Sequence, residues 1–373
     1  MARPIMQTRS RARRAAPIVF LGALSAALSA PAARAQHAGS ARPAAGAAPA
    51  QLVRESDVRR ELTVLADDSM RGRRTGTPGA LRAARYIADR MRAIGLEPAG
   101  DSGYFQRVPV GELLAPPATP PAPEGARPWP ERRLVLIDST VPDSGVRRLP
   151  AVNVVGILRG TDPVLRDSIV LVDAHYDHLG VGAPVNGDSI YNGADDDASG
   201  TVAVLEIARA MLHESPPKRT VVFLATTGEE TRLLGTRWFL EHPVVPLSRM
   251  TANLEIEMIG RPDTAVGPGK AWLTGFDRST MGAMFRDAGL PVVPDPRPDQ
   301  QFFQRSDNIA FAKRGIPAHT LSTFGLHGDY HEPSDEASGI DFAHMTRVID
   351  IAARAIHLLA NGPAPRWYPG MQP

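Results

Sequence analysis

Three consecutive aspartates at 195–197 lie between Gly-Ala and Ala-Ser-Gly. Adjacent like charges repel one another, so such a run is either exposed to water or held against a strong positive charge. The neighbouring sequence favours the second case. An apolar run before the aspartates ends in His-x-Asp at 175–177, and an apolar run after them ends in two glutamates at 229–230. No basic run accompanies these acids, so the pattern indicates a metal ion as the missing positive charge.

The spacing of these residues suits metal chemistry. His175 and Asp177 are two positions apart, so on an extended segment they point the same way. That arrangement suits a metal-bound imidazole supported by a nearby carboxylate. Asp196, the middle acid of its run, is placed to bridge two ions. Glu229 and Glu230 follow a predicted strand, where one carboxylate can bind metal and the other can move a proton.

Two further positions complete the set. Glu257 lies at the end of a predicted strand, and Glu255, two residues upstream on the same face, competes for the same role. His331 lies in a polar loop before the last predicted helix. Taken singly, each of these residues is more often solvated or a helix cap than a ligand. Five such sites at strand ends or adjoining loops are difficult to explain as accidents.

The elements that must position these residues alternate between strands and helices. Apolar strands alternating with helices predict a three-layer αβα sandwich, with a mostly parallel central sheet and helices on both faces. In such sheets ligands bind beyond the carboxyl ends of the strands, where the candidate residues lie. The predicted strands are 134–137, 151–158, 168–174, 220–226, 252–259 and 318–322. The predicted helices are 53–65, 79–94, 199–212, 231–240, 279–288, 307–313 and 342–359.

The N-terminal residues carry signals of export. Residues 1–35 combine a basic start, an apolar stretch and an Ala-x-Ala site, which predicts a secretory signal peptide and a periplasmic or extracellular location. Residues 36–50 are rich in Ala, Gly and Pro and predict a disordered linker. We expect residues 51–365 to form the catalytic domain. The seven prolines within about 114–133 predict a surface insertion in that domain.

Charge and composition exclude some partners. The whole chain has a formal net charge of +2, but residues 1–35 contain six arginines and no acid, so the rest of the chain carries −4. This balance gives no electrostatic basis for binding nucleic acid. We expect no membrane anchor either. The chain has no cysteine, so it forms no disulfides.

At this point the sequence resembles the co-catalytic di-zinc exopeptidase family, which includes bacterial leucyl aminopeptidases, aminopeptidase Y and glutamate carboxypeptidase. The resemblance rests on AHYDHLG, IYNGADDDASG, FLATTGEE, LEIEMIGR, SDNIAFAKRGIPA and GLHGDYHEPSD, which follow one another between residues 174 and 335. It implies a zinc-exopeptidase domain of the phosphorylase/hydrolase-like fold.

The resemblance implies a role for each metal residue. His175 and Glu257 would bind one zinc ion, Glu230 and His331 the other, and Asp196 would bridge both. Ligands made of carboxylates and imidazoles without thiolate suit zinc, with cobalt or manganese as substitutes. The family commonly has Asp where this chain has Glu257, but Glu also serves as a zinc ligand there.

The resemblance also implies the catalytic roles. Glu229 would be the general base, and Asp177 would support His175 from behind. The Asp196–Asp197 peptide bond is expected to be cis. Ser199 is expected to cap the following helix rather than to act as a nucleophile, because it lacks a Gly-x-Ser-x-Gly turn.

The function implied is a secreted zinc aminopeptidase acting on peptides. Three alternatives remain: a carboxypeptidase of the same family, a glutaminyl cyclase with one zinc ion, and a binding protein without activity. His178, His327, Tyr330 and the pair at 306–307 are further candidates for touching the substrate. Arg261 and Arg305 are the nearest basic residues for a substrate carboxylate, and each is equally well explained as a structural ion-pair partner.

Overall fold

The computed structural model describes residues 52–113, 133–137 and 145–373. These residues all belong to the unit Ala50–Pro373. The predicted signal peptide, the linker and nearly all of the proline-rich insertion lie outside the described residues. No helix in the described part of the chain is both long enough and apolar enough to cross a membrane.

Seven helices and fourteen strands are defined within these ranges. The helices are α1 Glu55–Leu65, α2 Pro78–Ile94, α3 Gly200–His213, α4 Leu234–Glu241, α5 Thr280–Asp287, α6 Asn308–Lys313 and α7 Phe342–Asn361. The strands are β1 Glu97–Pro98, β2 Phe105–Arg107, β3 Val110–Leu113, β4 Leu134–Leu136, β5 Val146–Leu149, β6 Val152–Leu158, β7 Ile169–His175, β8 Gly180–Val185, β9 Asp188–Tyr191, β10 Thr220–Thr226, β11 Met250–Glu257, β12 Ala271–Leu273, β13 Val292–Pro294 and β14 Ala318–Ser322.

The central sheet has the strand order β1-β6-β10-β7-β11-β14-β12-β13, with β2 also paired to β6. Its four middle strands, β10, β7, β11 and β14, are parallel, as predicted. The sheet is mixed at its flanks, because β6 runs antiparallel to β10 and β12 antiparallel to β14. No helix lies between β6 and β7. The chain therefore turns back at one end of the sheet, and β6 runs in the opposite direction to β7.

Both faces of the sheet are covered by helices, which confirms the three-layer fold. Alternate residues of a strand point to opposite faces, so Val170 and Val172 pack with α1, α2, α3 and α7. Leu171, between them, packs on the other face with Phe239 of α4 and Phe311 of α6. Every residue of β7 and β10 is buried. This explains why these two strands are continuous apolar runs in the sequence.

Helix ends follow local chemistry and lie within two residues of the predicted bounds, except at the start of α4. Helix α2 ends at Gly95, whose φ of 101° suits glycine, as the sequence indicated. Helix α4 begins at Leu234 rather than at 231, because Arg232 and Leu233 have φ values of 63° and 57°. A left-handed pair cannot continue a right-handed helix. The short strands β1, β2, β3, β5, β8, β9, β12 and β13 were not predicted.

Candidate metal centre

The predicted ligands come together at one edge of the sheet. His175 ends β7, Glu230 follows β10 and Glu257 ends β11, and these three strands are neighbours and parallel. Asp196 lies on the turn that leads into α3, and His331 lies on the loop after β14. Because the carboxyl ends of adjacent parallel strands meet at one edge, residues far apart in the chain face one another there.

Asp196 lies between two imidazoles. Its Oδ1 is 3.3 Å from Nε2 of His175, and its Oδ2 is 3.1 Å from Nε2 of His331. The carboxylate is almost fully buried. Burial would raise its pKa, but the two imidazoles beside its oxygens outweigh burial and hold the pKa well below its ordinary value. One histidine on each oxygen is the arrangement expected if this carboxylate bridges two ions. The Asp196–Asp197 peptide bond is cis, which confirms that prediction.

The other two aspartates of the run point elsewhere, so the three like charges do not share one site. Asp195 accepts a hydrogen bond from the Gly260 amide at 2.6 Å, and its other oxygen lies 2.9 Å from Nε2 of His327. Asp197 accepts from the amides of Gly200 and Met258. Each acid therefore has its own partners, and two of the three tie the turn to the segment after β11.

Ser199 does not cap α3 with its side chain. Its hydroxyl donates to the main-chain oxygen of Asp195 and accepts from the Ile259 amide. The cap is instead provided by Asp197, whose carboxylate accepts from the Gly200 amide at the start of the helix. The predicted role was wrong because the tight turn carries Ser199 into helical geometry, and Asp197 is the acceptor within reach.

Glu230 is held by two histidines. Its Oε2 lies 3.3 Å from Nε2 of His331, and its Oε1 lies 2.8 Å from Nδ1 of His178. Burial and the charge of Asp196 act to raise its pKa, but the two histidines outweigh them and bring it to about 2. His178, Asp196 and Glu230 present ligand atoms within 4.8 Å of one another. The sequence placed His178 only near the site, and the structure brings it into contact with a predicted ligand.

His175 is oriented for metal binding by its own backbone. Its Nδ1 donates to the main-chain oxygen of Asp177 at 3.0 Å, whereas the Asp177 carboxylate is 3.8 Å away. In the neutral ring this donation leaves Nε2 without a proton, beside the Asp196 carboxylate. The Asp177 carboxylate accepts from the Thr75 hydroxyl at 2.8 Å and from the Glu229 amide at 3.2 Å. In this geometry Asp177 holds the turn that carries Glu229, while its main chain orients His175.

The two competing glutamates of β11 have different surroundings. Glu255 is fully buried and accepts hydrogen bonds from the hydroxyls of Ser306 and Thr320 and from the amides of Asp307 and Asn308. These four donors tie it to the start of α6 and to β14 and leave it a structural role. Glu257 instead lines the pocket that contains the ligand carboxylates. Geometry therefore favours Glu257 as the ligand.

Glu229 and Glu257 have pKa values raised in the absence of a cation. Burial is the main cause for both, raising the pKa of Glu229 well above its ordinary value and that of Glu257 to about 8. Neighbouring acids add to this effect, through Glu257 on Glu229 and Glu255 on Glu257. Acids that resist ionisation in isolation become stable as carboxylates when a cation is bound among them.

The residues present fit a bound zinc ion. Nε2 of His175 and Nε2 of His178 are buried and make no hydrogen bond with the described residues. Buried polar atoms normally have partners, so such orphaned nitrogens indicate a ligand. The available donors are imidazole nitrogens and carboxylate oxygens, which suit zinc.

Arg73 is a central residue that sequence reasoning missed. It is fully buried and donates to four main-chain oxygens, those of Leu65, Tyr176, Asn192 and Gly193. Burial lowers its pKa to about 10, so it remains charged at neutral pH. Three of the four oxygens belong to the two segments that carry His175, Asp177 and Asp196. Arg73 therefore joins these segments and places a positive charge behind the acids.

One local signal could have identified Arg73. The preceding residue, Gly72, has a φ of 60°, and a Cβ there would lie 2.3 Å from the main-chain oxygen of Tyr191. Only glycine permits this close approach. A Gly-Arg pair in a turn between two helices thus marks a close contact with another segment, but the sequence does not reveal which one.

The remaining candidates divide between the pocket and the scaffold. Tyr330 and Ser306 line the pocket beside the ligands. His327 instead contacts Asp195, and Asp307 is fully buried, where it accepts from the Thr226 hydroxyl at 2.6 Å. One wall of the pocket is aromatic, because Trp272, Phe302, Phe324 and Tyr330 line it and contact one another in that order.

Residues 153–356, more than half of the chain, match the model of peptidase family M28. The chain belongs to peptidase family M28. The match contains every predicted metal ligand, from His175 to His331. This M28 chain is thus a member of a family of peptide hydrolases.

Relatives of this M28 chain support the assignment. It is 31% identical over 192 residues to the probable leucine aminopeptidase 2 of Aspergillus oryzae, covering 48% of this chain and 35% of that protein. The chain thus matches about a third of that relative's length.

Solved structures share the fold. The zinc aminopeptidase of Bacillus subtilis superposes with a TM-score of 0.59 at 15% identity, covering 86% of this chain and 99% of that one. The glutaminyl cyclase of Porphyromonas gingivalis superposes with a TM-score of 0.55 at 16% identity, covering 82% and 99%. Since one fold serves both proteins, fold alone does not decide between hydrolysis and cyclisation.

Proposed function

We propose that this protein is a zinc-dependent aminopeptidase that removes N-terminal residues from peptides. The observation that carries the proposal is Asp196 held between two imidazoles, with Glu229 in the same pocket on the loop after β10. The leucine aminopeptidase relative supports the same activity.

Two zinc ions are proposed, held by the five predicted ligands. His175 and Glu257 would bind one ion, Glu230 and His331 the other, and Asp196 would contact both. Zinc bound here would polarise the scissile carbonyl and make a water molecule more acidic. The protein's contribution is to hold these side chains on the ends of rigid strands, with Arg73 fixing the loops behind them.

Glu229 would move the proton. Its carboxylate would take a proton from the attacking water and later return it to the nitrogen of the departing amine, so that the peptide bond is replaced by a carboxyl and an amine. The hydrogen bond between the Glu229 amide and Asp177 holds the turn in place.

Recognition of the substrate amine is expected at the same site. The pocket is lined by Asp196, Glu230 and Glu257, the proposed ligands, and by Glu229, so one carboxylate remains beyond those that would bind the two ions. A carboxylate that is not fully used by metal can hold a protonated α-amine. A carboxypeptidase of the same family remains the second candidate, because Arg305 also lines this pocket.

The test is hydrolysis of leucine nitroanilide and of its N-acetylated form. The free-amine substrate should be cleaved, a chelator should abolish cleavage, and zinc or cobalt should restore it. Acetylation should abolish turnover, because it removes the charge of the amine and adds bulk. Release of a C-terminal residue from N-acetylated dipeptides would instead favour the carboxypeptidase, and cyclisation of N-terminal glutamine would favour the cyclase.

Export is proposed as well. It is supported by the basic start, the apolar stretch and the Ala-x-Ala site within residues 1–35. Expression of the full chain in a Gram-negative host should yield a shortened protein that begins near residue 36 in the periplasm or the medium. A full-length protein that stays in the cytoplasm would contradict the proposal.

A further inference from the structure

One basic side chain lines the pocket beside the predicted metal ligands. Among the described lining residues Arg305 is the sole lysine or arginine, and it shares the pocket with Asp196, Glu229, Glu230 and Glu257. It is exposed, and it makes no hydrogen bond or ion pair with the described residues. An arginine that stays unpaired in a pocket with four acids is available to a ligand.

Arg261, the other arginine close to the site, has ion-pair partners, so the lack of a partner at Arg305 is not shared by its neighbour. Arg261 is bound by the carboxylates of Asp329 and Asp335, which makes it a structural ion-pair partner. Arg305 instead lies over the ring of Phe302, with its guanidinium carbon 5.1 Å from the ring centroid. Contact with an aromatic face restrains the guanidinium and leaves its N–H donors free for an acceptor.

A second unpaired donor lies on the same wall. Trp272 is 2% exposed, and its Nε1 makes no hydrogen bond with the described residues. Its indole stacks on Phe302, with ring centroids 5.3 Å apart and planes 25° apart. Buried indole N–H groups usually find an acceptor. Because the indole N–H is buried and the guanidinium of Arg305 is exposed, Arg305 is the donor beside this phenyl ring that a ligand can reach.

We propose that Arg305 binds a carboxylate of the peptide substrate, so that the enzyme prefers peptides with a carboxylate close to the scissile bond. The guanidinium fork matches a carboxylate with two parallel hydrogen bonds. This proposal rests on the proposed peptidase function. The carboxylate comes either from the C-terminus of a dipeptide or from an acidic side chain.

The test uses matched substrate pairs that differ only in the carboxylate. Leucyl-leucine and its amide report on the C-terminal carboxylate, and glutamyl and glutaminyl nitroanilides report on the side chain. In Arg305→Gln the preference for the carboxylate member of one pair should fall about 10-fold, mainly through KM, the usual effect of losing a charge-assisted hydrogen bond. The pair that responds identifies the source of the carboxylate. Arg305→Lys should retain part of the preference.

The control is Arg314→Gln, which removes an exposed arginine outside the pocket and should leave both preferences unchanged. Equal preferences in Arg305→Gln and the natural protein, in both pairs, would overturn the proposal.

Calorimetric binding of leucyl-leucine and its amide to zinc-loaded Glu229→Gln, with and without Arg305→Gln, separates the Arg305 proposal from the proposed peptidase function. If no substrate is turned over, the peptidase function fails. The Arg305 proposal then stands if that substitution weakens binding of either probe, and fails if both bind unchanged.

Discussion

Replacing Arg73 with lysine tests whether one buried cation organises the metal centre. The arginine donates to four main-chain oxygens at 2.6–2.8 Å. Lysine keeps the charge but has three donors on a compact ammonium, so at least one buried oxygen loses its partner. An unsatisfied buried group costs about 1–3 kcal/mol, and misfit of the others adds to this. We expect Arg73→Lys to lower the free energy of unfolding by about 2–4 kcal/mol.

The same change should weaken metal binding. Arg73 contacts the oxygens of Asn192 and Gly193, just before Asp196, and the oxygen of Tyr176, beside His175. Loss of a residue that orients metal ligands usually costs about 10–100-fold in affinity. Zinc affinity should therefore fall by about that factor, even under conditions in which the variant is fully folded.

Urea unfolding of the metal-free protein and competition with a chelator for zinc measure the two effects. Arg71→Lys is the matched control, since this arginine is exposed and lies two residues earlier in the same turn. If Arg73→Lys unfolds at the same urea concentration as Arg71→Lys and binds zinc equally well, Arg73 does not organise the site. A loss of stability with unchanged zinc affinity would limit its role to the fold.

Three further predictions address catalysis, metal binding and pH. Glu229→Gln should keep its metal content and lose about 10²–10⁴-fold in kcat, and zinc lost along with activity would make Glu229 a ligand instead. Asp196→Ala should lower zinc content at both sites, so retention of two ions per chain would contradict the bridging role. His319→Asn should reduce the dependence of stability on pH, because burial lowers the pKa of His319 to about 4. Below its unfolded pKa of about 6.5 the unfolded chain takes up a proton that the folded chain refuses. Its contribution is therefore complete above pH 6.5 and is lost as the pH falls toward 4, by about 3 kcal/mol. Urea unfolding between pH 4 and 7 measures this, and an unchanged slope in the variant would refute it.

The prediction for His319 depends on a contact that the sequence does not show. Its Nδ1 donates to the main-chain oxygen of Thr274, and its Nε2 accepts from the hydroxyl of Ser279, both at 2.7 Å. These two bonds use both nitrogens of the neutral ring. In the sequence His319 is one of three polar residues in the strand Ala318–Ser322, which does not reveal whether the imidazole is solvated, bound to metal or paired in the core.

The sequence by itself determined the layered fold and the position of the site. Continuous apolar runs such as 170–172 and 221–225 must be buried on both faces, which requires a sheet with helices on each side. Polar residues that end these runs must then emerge together at one edge. The sequence alone therefore places His175, Glu230 and Glu257 close together.

Only the tertiary structure decided which side chains meet. The direction of β6, the separate partners of the three aspartates, and the contact of His178 with Glu230 depend on contacts between segments far apart in the chain. Arg73 shows the reason most clearly, because its four acceptors are main-chain oxygens. Every residue has such an oxygen, so side-chain identity carries no record of the contact. Periodicity encodes burial, whereas the pairing of buried polar groups is fixed by the packing of the whole domain.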